Sequence, residues 1–169
     1  LLRQPTDKKK RKILLASKVE DMINTVVRQI AFYTFERKVH TARKEGELTP
    51  DKINEIWLEI QAESLGDSIG IGPGYETFWA YIPHFIHSPF YVYAYAFGDC
   101  LVNSLYARYQ ESEAGFQEKY FTMLKAGGTQ HHSELLKPFG LDATDPEFWQ
   151  KGLSVISRLI DELETMENA

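Results

Sequence analysis

Apolar residues recur every three or four positions along the first part of the chain: Val19, Met22, Ile23, Val26, Val27, Ile30 and Tyr33. A repeat of that length puts them on one face of an amphipathic helix. Thr6 and Asp7 are candidate N-caps for it, and the pattern runs to about Lys44, ahead of Gly46. A second helix is announced by Thr49-Pro50-Asp51, a capping hydroxyl followed by a first-turn proline and an acid. Its inner face is Ile53, Ile56, Trp57 and Ile60, and Gly66 ends it.

The pattern then changes. Gly66, Gly70, Gly72, Pro73 and Gly74 fall within ten residues, a composition that predicts a mobile loop. No Gly-Lys-Ser/Thr follows and no strand precedes it, so it is neither a P-loop nor a dinucleotide-binding turn. From Phe78 to Phe97 the chain is strongly aromatic, with Pro83 and Pro89 breaking any helix into short pieces. Ser88-Pro89 predicts the start of a longer helix reaching about Tyr109 through Leu101, Val102, Leu105 and Tyr106. The alternation of Tyr91, Tyr93 and Tyr95 also suits a strand, but the 3.6-residue spacing downstream favours helix. Further helices are expected over Glu113 to Ala126, up to Gly127-Gly128, and briefly over Ser133 to Leu136. A last one follows Asp145-Pro146, with Phe148, Leu153, Ile156, Leu159, Ile160 and Leu163 inward. Nothing reads as a strand pair. The expected fold is all-α, long helices with a Gly-rich loop, as a single unit over residues 1–169.

Composition narrows the function classes. A net charge of −5 disfavours a nucleic-acid partner. The cluster Lys8-Lys9-Lys10-Arg11-Lys12 opposes the dipole at a helix start and reads as a solvated first turn. No apolar run is long enough to span a bilayer, and no secretory leader is seen. Cys100 is the single cysteine, which suits a reducing compartment and a cytoplasmic protein. The chain opens on Leu1-Leu2-Arg3, so it is expected to start inside a longer protein.

Candidate chemistry is sparse. No histidine is followed by glutamate, so the zinc-peptidase motif His-Glu-x-x-His is missing. His84 and His87 are three apart but flanked by prolines, and His131, His132 and Glu134 lie in a polar loop. Ordinary surface or core histidine is the expectation for both clusters, and a small buried thiol for Cys100. The aromatic block admits two readings. It is a core whose tyrosine hydroxyls reach the rim, or it lines a cleft. Tyr75, Tyr81, Tyr91, Tyr93 and Tyr95 beside a Gly-rich loop favour the cleft, because cores prefer Leu and Phe. Tyrosine keeps its proton at neutral pH and can donate to an oxyanion that forms on a carbonyl.

The stretch Tyr81-Ile82-Pro83-His84-Phe85, followed by Pro89-Phe90-Tyr91-Val92-Tyr93-Ala94-Tyr95-Ala96, resembles the substrate-binding signature of the oligoendopeptidase F family, zinc peptidases related to thimet oligopeptidase. Arg28-Gln29-Ile30-Ala31-Phe32 with Phe35-Glu36 resembles the helix before it. Phe139-Gly140-Leu141-Asp142 and Pro146-Glu147-Phe148-Trp149 resemble the family's C-terminal end. The resemblance covers nearly the whole chain. It implies an almost wholly helical fold around a deep channel that admits short peptides. It also implies a zinc held by two histidines and a glutamate that precede the matched region. The chain would then be the C-terminal, substrate-binding part of a zinc metalloendopeptidase, without metal ligands of its own and inactive alone. By position, His84, Tyr91 and Tyr93 would face the scissile carbonyl. Tyr95, Tyr75, Gly72 and Gly74 would bind substrate, the glycines in a mobile loop over the peptide. The implied partners are an oligopeptide and the missing N-terminal catalytic part, with self-association through exposed apolar surface. A non-catalytic helical peptide-binding or scaffold domain remains the alternative. A metal sensor built on His84, His87 and His131 is a third, weaker one.

Overall fold

A computed structural model of the chain describes residues 7–111 and 114–168, and every regular element among them is helical. The long helices are α1 (Lys8–Arg43), α2 (Pro50–Leu65), α4 (Tyr93–Glu111), α5 (Phe116–Ala126) and α7 (Pro146–Glu167). Two short ones, α3 (His84–His87) and α6 (His132–Leu136), join them, along with 3₁₀ turns at Gly66–Ser68, Tyr75–Tyr81 and Lys137–Phe139. None of the helices is long and apolar enough to cross a membrane. Thr6 and Glu113, expected as a cap and a helix start, lie outside the described residues.

The caps are built as the sequence predicts. Thr49 accepts a hydrogen bond from the Lys52 N–H and Pro50 opens α2. Asp145 accepts from the Glu147 N–H ahead of Pro146 in α7. Each satisfies one of the N–H groups that a helix start leaves without an internal partner.

The chain divides into two compact units, residues 23–97 and residues 1–22 with 98–169. The core of the first centres on Trp57, which is 0% exposed. Around it pack Phe32 and Phe35 of α1, Ile56 and Ile60 of α2, and Ile82 and Val92. Half-buried Tyr75, Phe78, Trp79 and Phe85 close the cluster. Aromatic rings meet here mostly tilted or edge-to-face, as their quadrupoles prefer: Phe35 and Trp57 are 5.1 Å apart at 83°.

In the other unit, Leu105, Leu136, Phe139, Leu141 and Phe148 form the core. Ser104 is buried and donates to the Phe148 carbonyl at 2.8 Å. Gly152 of α7 lies against the Cys100 backbone, where an added Cβ would be 2.9 Å from the Cys100 oxygen. That approach tolerates no side chain. Burial, with the Asp99 charge adding to it, pushes the Cys100 thiol up to about 11, so it stays an inert small apolar residue. In the basic start of α1, Lys8, Lys9 and Lys10 are exposed as expected, while Arg11 pairs with Glu162, and Lys12 with Glu167 at 2.7 Å. Both pairs are partly exposed and contribute little stability.

Two expectations need correction. The helix predicted from Ser88 begins at Tyr93 instead. Phe90 has φ +60°, the one positive value outside glycine among the described residues, and a left-handed residue cannot continue a right-handed helix. Proline at 89 is compatible with a helix start; the next residue is not. Second, the apolar face of α1 is split. Val19, Met22 and Val26 are buried, but Ile23, Val27 and Ile30 are exposed. The periodicity is sound, yet its stripe is wider than what the described residues cover.

Candidate active-site wall

The 3₁₀ turn Tyr75–Tyr81 starts from Gly74, whose φ of +92° is easy only for glycine. In a 3₁₀ turn residues three apart eclipse one another. Tyr75, Phe78 and Tyr81 therefore stack in one row, at 5.2 and 5.4 Å between successive centroids. The Tyr75 carbonyl accepts the Trp57 indole N–H at 3.0 Å, and the Tyr75 hydroxyl donates to Gln61 Oε1 at 3.2 Å. Burial pushes this phenol up, against the opposing charge of Arg28, so it stays protonated. Gly72, Gly74, Tyr75 and Phe78 line a depression of about 430 Å³ together with Leu65 and Ile69. Gly72 has no positive φ and open space around it, so the fold itself does not require glycine there.

Pro83 leads into α3, and Ser88 N–H to the His84 carbonyl closes it. The chain then reverses at Phe90 and enters α4 through Tyr91, whose carbonyl accepts the Ala94 N–H at 2.9 Å. This reversal brings three of the site residues together. His84 Nε2 and Tyr95 Oη are 3.0 Å apart. The His84 ring lies parallel to Tyr91 at 6.3 Å and edge-on to Tyr95 at 5.6 Å. Tyr91 and Tyr95, four apart, meet edge-on at 5.6 Å. Tyr93, between them in sequence, packs its ring edge-on against Tyr33 of α1, 6.1 Å between centroids.

The exposure of these rings favours the cleft over the core. Tyr91 is 52% exposed, Tyr93 50% and Tyr95 40%. Neither Tyr91 nor Tyr93 gives its hydroxyl to any described residue, so both protons are free for a ligand. Where His84 Nε2–H donates to Tyr95, the Tyr95 proton is free as well. The surface is thus a row of hydroxyl donors with no carboxylate in the cluster, suited to an acceptor such as a carbonyl oxygen.

A larger concavity, about 840 Å³, lies in the other unit between Leu14, Met22, Val102, Val155 and Leu159, rimmed by charged residues. Its polar lining mixes the cations Arg11, Lys18 and Arg158 with Asp21 and Glu162 and is not a row of tyrosine hydroxyls. His131 caps α6 and its ring meets that of His132 at a tilt, 4.0 Å between centroids. No group of three or more His, Cys, Asp or Glu side chains is placed to hold a metal among the described residues.

Sequence reasoning missed two buried polar residues. Glu36 of α1 accepts the Phe90 N–H at 2.6 Å, and Gln61 of α2 holds Tyr75. The signal was available: each occupies an inward position of its helix, where a charge or an amide is out of pattern.

Comparison with known proteins supplies a family. The model for "Peptidase family M3" matches residues 1–155. Oligopeptidase PepF of Bacillus subtilis is 32% identical over 98% of this chain, and the plasmid-borne oligoendopeptidase F of Lactococcus lactis 30% over the same share. The crystal structure of oligoendopeptidase-F from Enterococcus faecium superposes with a TM-score of 0.90 at 27% identity, over 99% of this chain and 32% of that one. The chain spans only 25% and 28% of the length of the two sequence relatives.

Proposed function

The chain belongs to peptidase family M3, and from that membership we infer that it supplies the substrate-facing wall of an oligopeptide-hydrolysing enzyme, most of which lies outside it. The observation that carries this reading is the cluster of exposed hydroxyls around His84. Tyr91 and Tyr93 would each donate a hydrogen bond to the carbonyl oxygen as it becomes tetrahedral, stronger then than to the flat carbonyl. His84 orients Tyr95 through their 3.0 Å contact and shares the donor work. The depression beside Gly72, Gly74 and Tyr75 would take a side chain of the bound peptide.

A zinc ion, which polarises a peptide carbonyl and activates water, is assigned to the part of the enzyme outside this chain. The residues present here do not fit it, for want of His-Glu-x-x-His and of any metal-holding cluster among the described residues. No step is therefore assigned to a metal in this chain. The single buried cysteine suits a cytoplasmic enzyme. The exposed row Ile23, Val27 and Ile30 suits a surface that the rest of the enzyme covers and that sticks to itself without it.

One preparation tests both halves of this reading. The isolated chain should cleave no oligopeptide and should associate in light scattering, while the full-length enzyme cleaves. Cleavage by the isolated chain would place the chemistry within these residues, and a full-length protein that binds peptides without cleaving them would favour the scaffold reading.

A further inference from the structure

Glu36 is 2% exposed, and one of its oxygens accepts the Phe90 N–H across 54 residues of chain. The other oxygen has no hydrogen-bond partner among the described residues. A buried carboxylate so poorly satisfied is costly to the fold, which argues for a role other than stability. Its target is unusual as well. Phe90 is the non-glycine residue held at φ +60°, half exposed and packed at a tilt against His40, 4.6 Å between centroids. Strain of this kind persists only where the surroundings impose it.

The turn at Phe90 joins the two segments of the His84 cluster. His84 lies before it in α3, and Tyr91, Tyr93 and Tyr95 lie after it. The His84–Tyr95 contact spans the turn, so its geometry depends on the backbone at residue 90. Resting on the functional reading above, we propose that Glu36 is a positioning residue: its buried carboxylate holds Phe90 in the left-handed turn that sets His84 against the tyrosines. Glu36 touches no substrate and acts through residue 90. Its fixed acceptor selects one orientation of α3 relative to the start of α4.

The test uses five variants of the full-length enzyme: Glu36→Ala, Glu36→Gln, the double variant Glu36→Ala/Phe90→Gly, Tyr91→Phe and Tyr93→Phe. Glu36→Ala should lower kcat by up to about 10²-fold, the scale of a misplacement near 1 Å, with KM little changed. Glu36→Gln keeps an acceptor oxygen and should restore most of the loss. Glycine at 90 adopts positive φ unaided, so the double variant should recover part of what alanine alone loses. A merely structural role for Glu36 would give no such rescue, and kcat that stays low in both the glutamine and the double variant overturns the proposal. Full kcat in Glu36→Ala beside an impaired Tyr91→Phe also overturns it and spares the functional reading. Full kcat in Tyr91→Phe and in Tyr93→Phe fails that reading itself, and the role of Glu36 with it.

Discussion

Phenylalanine in place of Tyr91 or Tyr93 in the full-length enzyme will lower kcat by roughly 10²–10³-fold each, the usual cost of losing one oxyanion donor. KM should stay close to its original value. The physical reason lies in what the substitution removes. Both rings are half exposed and pack edge-on, Tyr91 against Tyr95 and Tyr93 against Tyr33, contacts that phenylalanine keeps. The hydroxyl alone is lost, and it has no partner among the described residues in the absence of a ligand. An interaction made only in the transition state lowers kcat and kcat/KM equally. A rise in KM at unchanged kcat would instead mark the hydroxyl as a uniform binding contact. No change in either constant would remove that tyrosine from the site.

Trp57→Ala has the largest expected effect on stability. Trp57 is fully buried between Phe32, Phe35, Tyr75 and Phe85, and its N–H satisfies the Tyr75 carbonyl. Truncation leaves a cavity in the centre of the core and one carbonyl without its donor, a loss of about 3–5 kcal/mol. In a chain of this size that lowers the thermal midpoint by roughly 10 °C, measured by circular dichroism at 222 nm. The site should suffer with the core, since Tyr75 begins the 3₁₀ turn and Phe85 adjoins His84. A midpoint within a degree or two of the parent would mean that the surrounding rings collapse into the space.

Helices with strong local signals were legible in the sequence. Thr49-Pro50 and Asp145-Pro146 start α2 and α7 where predicted, because an N-cap and a first-turn proline act within four residues and need no tertiary partner. The start of α4 was not legible. Ser88-Pro89 carries the same local signal, but a carboxylate 54 residues earlier holds Phe90 in the left-handed region, and local chemistry cannot report that. The same limit applies to α1: the period identifies a helix and a stripe, while which part of the stripe is covered depends on distant elements. Of the motif residues, His84 lies on the short α3 and Tyr93 and Tyr95 on the long α4, while Tyr91, expected inside that helix, precedes it. Their mutual geometry was not readable. The resemblance grouped His84 with Tyr91 and Tyr93, whereas the ring contacts join His84 and Tyr91 to Tyr95 and set the Tyr93 ring against Tyr33. Glu36, which makes that grouping possible, was visible only as an acid out of place on an apolar face.

The central claim is that the hydroxyl-bearing segment around His84 faces the scissile bond. A cleavable oligopeptide carrying a diazirine on the residue next to that bond tests it by photolabelling of the full-length enzyme and mass-spectrometric mapping of the adduct. The account predicts label within residues 84–95, reduced by excess unlabelled peptide. Competed label that spares this segment altogether would contradict it.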